Sequence, residues 1–135
     1  MGNFPPSTIH DKYSEWHLNH LRGIDIKYKK LYMSDVDSLI YKPEIEGYRL
    51  WVEHDYKKPV AAIDLKWDFT EDSISDGEEI IYNWLESKGL PCYVVYINVD
   101  FTKFEINRKG QSMICTEIEY ADWLISLRYY NYQGI

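Results

Sequence analysis

The apolar positions of this chain change period several times, and each change marks a new element. From Thr8 to about Arg22, Tyr13, Trp16, His17, His20 and Leu21 recur at helical spacing before Gly23, which predicts a first helix. Residues 1–7 read as a short arm in front of it. Asp37 to Lys42 opens on an acid and continues through Leu39, Ile40 and Tyr41, predicting a first strand, and Pro43 to Gly47 supplies a turn. Tyr48 to His54 alternates Tyr48, Leu50 and Val52 against polar partners, with Trp51 out of step. After a turn-like Asp55 to Pro59, the run Val60 to Trp67 is apolar apart from Asp64 and Lys66. Such a run suits a central strand covered on both faces.

Ser75 with Glu78 forms a capping-box pattern, Ile80, Ile81, Trp84 and Leu85 follow, and Gly89 with Pro91 closes the helix. Cys92 to Val99 is the strongest strand of the chain, dense in β-branched and aromatic residues. Phe101 to Asn107 predicts another, Arg108 to Gly110 a turn, and Gln111 to Thr116 a further strand. Thr116 with Glu119 repeats the capping box ahead of Tyr120, Trp123, Leu124 and Leu127 in a last helix. The order α-β-β-β-α-β-β-(β)-α predicts an α/β sandwich with a mixed sheet between helices. No repeat, low-complexity stretch or linker divides it, so residues 1–135 read as a single domain.

Bulk properties narrow the classes. Of 135 residues, 45% are hydrophobic and 16% aromatic, a composition of folded rather than disordered chains. No apolar run approaches the roughly 18 residues that cross a bilayer, and the first residues lack a secretory pattern. A soluble, cytoplasmic protein without membrane contact is expected. Cys92 and Cys115 stand far apart in no metal-binding pattern and read as buried thiols. The net charge of −7 changes the picture more. A protein gripping long DNA through its phosphates carries a basic surface, so any nucleic-acid contact here is local or assisted by a partner.

Candidate chemistry centres on Asp64 and Lys66. Two residues apart in a strand, they point to the same face, about 7 Å apart. A buried charge is costly unless it pairs or meets a metal. One reading is a salt bridge. The other is a site where Asp64 binds a divalent cation and Lys66 orients the attacking water or stabilises charge at phosphorus. Upstream, Asp35 and Asp37 share a face if Ser34 to Tyr41 is extended.

An acid at a strand mouth, a hairpin and then acid-x-Lys in the middle strand resembles the restriction-endonuclease-like, or PD-(D/E)xK, nucleases. Asp64-Leu65-Lys66 matches the second half-motif directly, while Ser-Asp or Val-Asp stands in for Pro-Asp. The predicted element order from the first helix through Val99 follows the core of that superfamily. The resemblance implies a three-layer restriction-endonuclease-like sandwich and a catalytic set of Asp37, Asp64, Lys66 and Glu15, the last from the first helix. It also implies Mg²⁺ or Mn²⁺ held by Asp37 and Asp64, with Asp35 in reserve, and hydrolysis of nucleic acid, DNA before RNA. A homodimer or a protein partner is compatible with it. The alternative is a catalytically silent nuclease-like fold that binds another protein, as a phage or mobile-element product would.

Other residues receive plainer readings. His17 and His20 are expected as a helix flank beside Trp16, and His10 and His54 as exposed. Trp51, Trp67, Trp84 and Trp123 are expected in packing. Lys57–Lys58 and Arg108–Lys109 form small basic turns. The acidic stretch Asp68, Glu71, Asp72, Asp76, Glu78 and Glu79 reads as a solvated loop and helix cap, two of whose members could add to metal binding.

Overall fold

β3 (Lys58–Trp67) lies inside a mixed sheet of six strands and carries both of the charges singled out above. In the computed structural model, residues 6–37, 49–55, 58–69 and 74–129 are described, with the side chains of 6–8, 35–37, 49 and 129 left aside. Around β3 stand β1 (Tyr32–Asp37), β2 (Arg49–Asp55), β4 (Cys92–Ile97), β5 (Lys103–Arg108) and β6 (Gln111–Thr116), in spatial order β1-β2-β3-β4-β5-β6. All neighbours are antiparallel except β3 and β4. That parallel pair needs a crossover, and α3 (Asp76–Ser87) supplies it. The remaining helical segments are α1 (Pro6–Glu15), a π-helical turn at Trp16–His20, α2 (Leu21–Ile24), a 3₁₀ turn at Ile26–Lys30 and α4 (Glu117–Tyr129). The protein is thus an α/β sandwich with helices on both faces of a mixed sheet.

Several boundaries differ from expectation. The first strand is described over Tyr32–Asp37, so Asp37 does not open it. It is an edge strand whose Tyr32 and Ser34 are exposed, which leaves little apolar alternation to read. The expected stretch 38–42, the turn 43–47 and Tyr48 lie outside the described residues, as do 56–57 and 70–73. Pro6 and Ser7, expected in the N-terminal arm, belong to the helix. Gly23 does not stop the first helical run, which continues to Ile24. Phe101 belongs to a turn instead of a strand. It takes φ 56°, its N–H donates to the Asn98 carbonyl, and its buried ring packs on Trp16, Trp67 and Phe104. The turn between β5 and β6 is of the tight hairpin kind, with Lys109 at φ 51° and Gly110 at φ 80°. Both capping boxes form: Ser75 with Glu78, and Thr116 with Glu119.

Strand alternation sorts the core into two layers. Ile63, Leu65 and Trp67 of β3 join Trp51, Tyr93, Val95, Phe104 and Ile106 against α1 and α4, forming the larger core. On the other face, Leu50, Ala62 and Cys92 meet Ile81 and Leu85 of α3 in a smaller one. His10 is buried against Trp51 rather than exposed. Cys92 and Cys115 are free, buried thiols.

The larger core also encloses a carboxylate. Glu53 and His17 are both 0% exposed, with His17 Nε2 3.1 Å from Glu53 Oε1. The Arg128 guanidinium donates to Glu53 Oε1 at 2.7 Å and to the Tyr32 and Leu124 carbonyls. Burial pushes the Glu53 carboxyl up, but His17 and Arg128 outweigh it and hold the group below the ordinary value of 4.5. A carboxyl depressed on folding contributes stability that is present above its unfolded pKa and is lost as pH falls through the folded one. Removing one partner of such a buried pair costs about 3–5 kcal/mol. Chemical unfolding of Glu53→Ala or Arg128→Met at neutral pH is expected to show a loss of that size. For Glu53→Gln, the deficit against wild type should shrink as the pH is lowered below 4.5, the ordinary glutamate value.

Candidate functional site

Asp64 and Lys66 lie on the α3 face of β3, aligned with Val94 and Tyr96 of the parallel neighbour β4. Both are nearly enclosed, with side chains 7% and 10% exposed. α3 brings the groups that meet them. Its apolar stripe Ile81 and Leu85 docks on Ala62 and Cys92, and residues three and four apart share that face. Glu78 and Tyr82 therefore face the strand as well.

Lys66 Nζ donates to Glu78 Oε2 at 2.8 Å and stands 3.9 Å from Asp64 Oδ2. The Tyr82 hydroxyl donates to Asp64 Oδ2. Glu78 holds two positions at once: its Oε1 accepts from the Ser75 N–H at 2.9 Å, closing the helix cap, while Oε2 takes the lysine. Burial pushes the Glu78 carboxyl up, yet the bonds from Lys66 and Ser75 outweigh it and keep the group below the ordinary glutamate value. Tyr96 is pushed up, first by burial and then by the carboxylates of Asp64, Glu78 and Glu105, against the opposing charge of Lys66.

A groove of about 320 Å³ runs beside this cluster between α3 and the outer face of β4–β6. Tyr82, Val94, Tyr96 and Asn107 line it near the cluster, and the Arg108–Ser112 turn lines its far end. Arg108 is engaged there by Glu86, with bonds of 2.9 and 2.8 Å. Cys92 also lines the groove, but its thiol is pushed up to about 12, chiefly by burial. A thiol held protonated in this way is a poor nucleophile.

The other expected residues lie elsewhere. Glu15 is exposed on α1, in the helical layer across the sheet from Asp64, and does not face the cluster. It borders a shallow hollow with Lys12, His20 and Glu117. The backbone register aligns Asp37 with Arg49 and Asp35 with Trp51. Trp51 in turn pairs with Ile63, a residue of the larger core rather than of the Asp64 face. β2 thus separates both aspartates from β3, and their side chains lie outside the described residues. Among the described residues, no group of three or more His, Cys, Asp or Glu is placed to hold a metal.

Tyr82 was not anticipated as a site residue, and Glu78 was anticipated only as one of six acids between Asp68 and Glu79, two of which could add to metal binding. Glu78 is half of the capping box, which masks its second role, and Tyr82 lies four positions on along the same helix face. A double-mutant cycle with Lys66→Met and Glu78→Gln is expected to give a coupling of about 1–3 kcal/mol, larger than for exposed ion pairs. Tyr82→Phe leaves the fold intact and removes one bond to Asp64, at a cost of about 1 kcal/mol in urea unfolding.

No family model matches the chain, no curated protein matches it, and no solved structure matches its fold. The chemistry of the Asp64 cluster follows from its own geometry.

Proposed function

We propose that this protein is a metal-dependent nuclease of restriction-endonuclease-like fold, hydrolysing phosphodiester bonds of nucleic acid at Asp64 and Lys66. One observation carries the reading. An acid and a lysine in the middle of an apolar strand, almost enclosed, stand 3.9 Å apart beside an open groove of mixed polar and apolar lining. A well-packed apolar pair would serve β3 as well or better, because desolvating two charges costs several kcal/mol. Enclosed charges that shift a neighbouring carboxyl, as Lys66 lowers Glu78, mark a candidate functional site where they stand next to a cleft.

Asp64 and Glu78 offer hard carboxylate oxygens on either side of Lys66. Such a donor set suits a magnesium-type ion, which is commonly held by one or two carboxylates with water and substrate phosphate completing its shell. When bound, the ion supplies Lewis acidity toward a phosphoryl oxygen and lowers the pKa of its water. The chain's own groups do the rest. Tyr82 fixes the orientation of Asp64, Lys66 places a positive charge where negative charge develops at phosphorus, and the α3 cap holds Glu78 in position. With a net charge of −7, substrate is held locally through the groove rather than by a broad basic surface.

A second reading has its own support. Lys66 is already bonded to Glu78 and Asp64 to Tyr82, as in an ion-pair lock that fastens α3 to the sheet in a silent, protein-binding fold. Cleavage of plasmid DNA, single-stranded DNA and RNA with Mg²⁺ or Mn²⁺ separates the two. The nuclease reading expects activity abolished by EDTA and lowered roughly 10²-fold or more by Asp64→Asn and by Lys66→Met, with circular dichroism unchanged. Wild-type protein inert on all three substrates with either ion sinks it and leaves the binding module.

A further inference from the structure

β6 ends the sheet, and among the described residues it pairs only with β5. An edge strand presents a row of unpaired N–H and C=O groups, and soluble proteins usually blunt it with lysine, proline, a bulge or inward-pointing charge. β6 has none of these. Its residues Gln111, Ser112, Met113, Ile114, Cys115 and Thr116 are uncharged and include no proline. Its register with β5 is unbroken from Thr116 to Gln111. The opposite edge differs, since β1 contains Asp35 and Asp37. The two faces of β6 are also unlike. Cys115 is buried in the larger core with α4, whereas Ile114 on the other face is 62% exposed, beyond the reach of the small core under α3.

We infer that β6 is a self-association edge, on which a second copy of this chain adds its own β6 in antiparallel register. A two-fold axis through Ile114, perpendicular to the sheet, keeps each face on its own side. It sets Ile114 against Ile114 of the second copy, Ser112 against Thr116 and Met113 against Cys115. Every pair is uncharged, and the exposed isoleucines cover each other. Self-complementarity selects this occupant, because the two-fold covers Ile114 with its own copy and sets no charge against a like charge. Two copies of a chain with net charge −7 repel over most of their surfaces, and like charges directly opposite destabilise a strand pair. β6 is an edge at which two copies meet with no such opposition. A strand pair of five residues, Ser112–Thr116, is small against the roughly 1,200–2,000 Å² of stable interfaces, so the dimer is concentration-dependent.

Sedimentation velocity of the full chain over a hundredfold concentration range tests the inference. Wild type is expected to pass from monomer to dimer. Ile114→Lys, which sets two cations face to face at a solvent-exposed position, is expected to stay monomeric with an unchanged circular-dichroism spectrum, and Ile114→Val to dimerise. Register is read separately. Under mild oxidation, the chain carrying both Ser112→Cys and Thr116→Cys should form a covalent dimer, and the chain carrying Ser112→Cys alone should not. A wild type that stays monomeric throughout, a dimer indifferent to Ile114→Lys, or crosslinking by Ser112→Cys alone overturns the proposal.

Discussion

A carboxylate with no exposed surface organises much of this molecule. Glu53 sits on the core face of β2, and its charge must be met inside the protein. His17 meets it from a π-helical turn, and a local widening of this kind lets a helix present a side chain off its regular stripe. Arg128 meets it from the last turn of α4 and also bonds the Tyr32 carbonyl at the start of β1. One acidic group thereby ties the N-terminal helical run, the C-terminal helix and two strands together. The aromatic packing follows the same geometry. Tyr13 and Tyr120 share a hydrogen bond of 2.8 Å in this layer, and Trp16 packs against Tyr120 and Phe104 nearby.

The charges on the other face obey the same rule with a different outcome. Both sites meet buried charge with opposite charge and hydrogen bonds. Around Glu53 the partners are enclosed in the larger core, and the cluster can only hold elements together. Around Asp64 the partners come from one short helix, and the groove opens beside them. The difference lies in the layer covering each face. Two helices and a large aromatic core close one side of the sheet, whereas α3 covers the other side only in part and leaves Glu105, Asn107 and Ile114 partly or largely exposed. The open groove and the exposed Ile114 are both consequences of that uneven coverage.

Legibility in the sequence followed the strength of local pattern. β3 and β4, buried on both faces, and α3 with its capping box were readable because packing, propensity and capping agree there. Alternation in β3 correctly put Asp64 and Lys66 on one face. The start of β1 at Tyr32 was missed because an edge strand has little alternation and the apolar run 39–41 is more conspicuous in sequence. Glu53 and His10 escaped notice for a shared reason: a polar residue buried by partners distant in sequence looks like a surface residue locally. The same blindness affected the site. Glu15 was assigned through a resemblance in element order and stands in the helical layer across the sheet from Asp64. Order does not fix which face a residue occupies. Register does that, and a shift of one residue reverses it.

The double role of Glu78 links helix formation to the chemistry proposed for Asp64. Its Oε1 completes the N-terminal cap of α3, and its Oε2 bonds Lys66. A capping box contributes on the order of 1 kcal/mol to its helix, and α3 in turn delivers Tyr82 to Asp64. The polar groups of the cluster are therefore arranged only when α3 is docked. Under the proposed function, a cation that turned the Glu78 carboxylate away from Lys66 would also pull Oε1 from the Ser75 N–H in the first turn of α3, the element that walls the groove. One carboxylate would then couple occupancy of the site to the order of its wall.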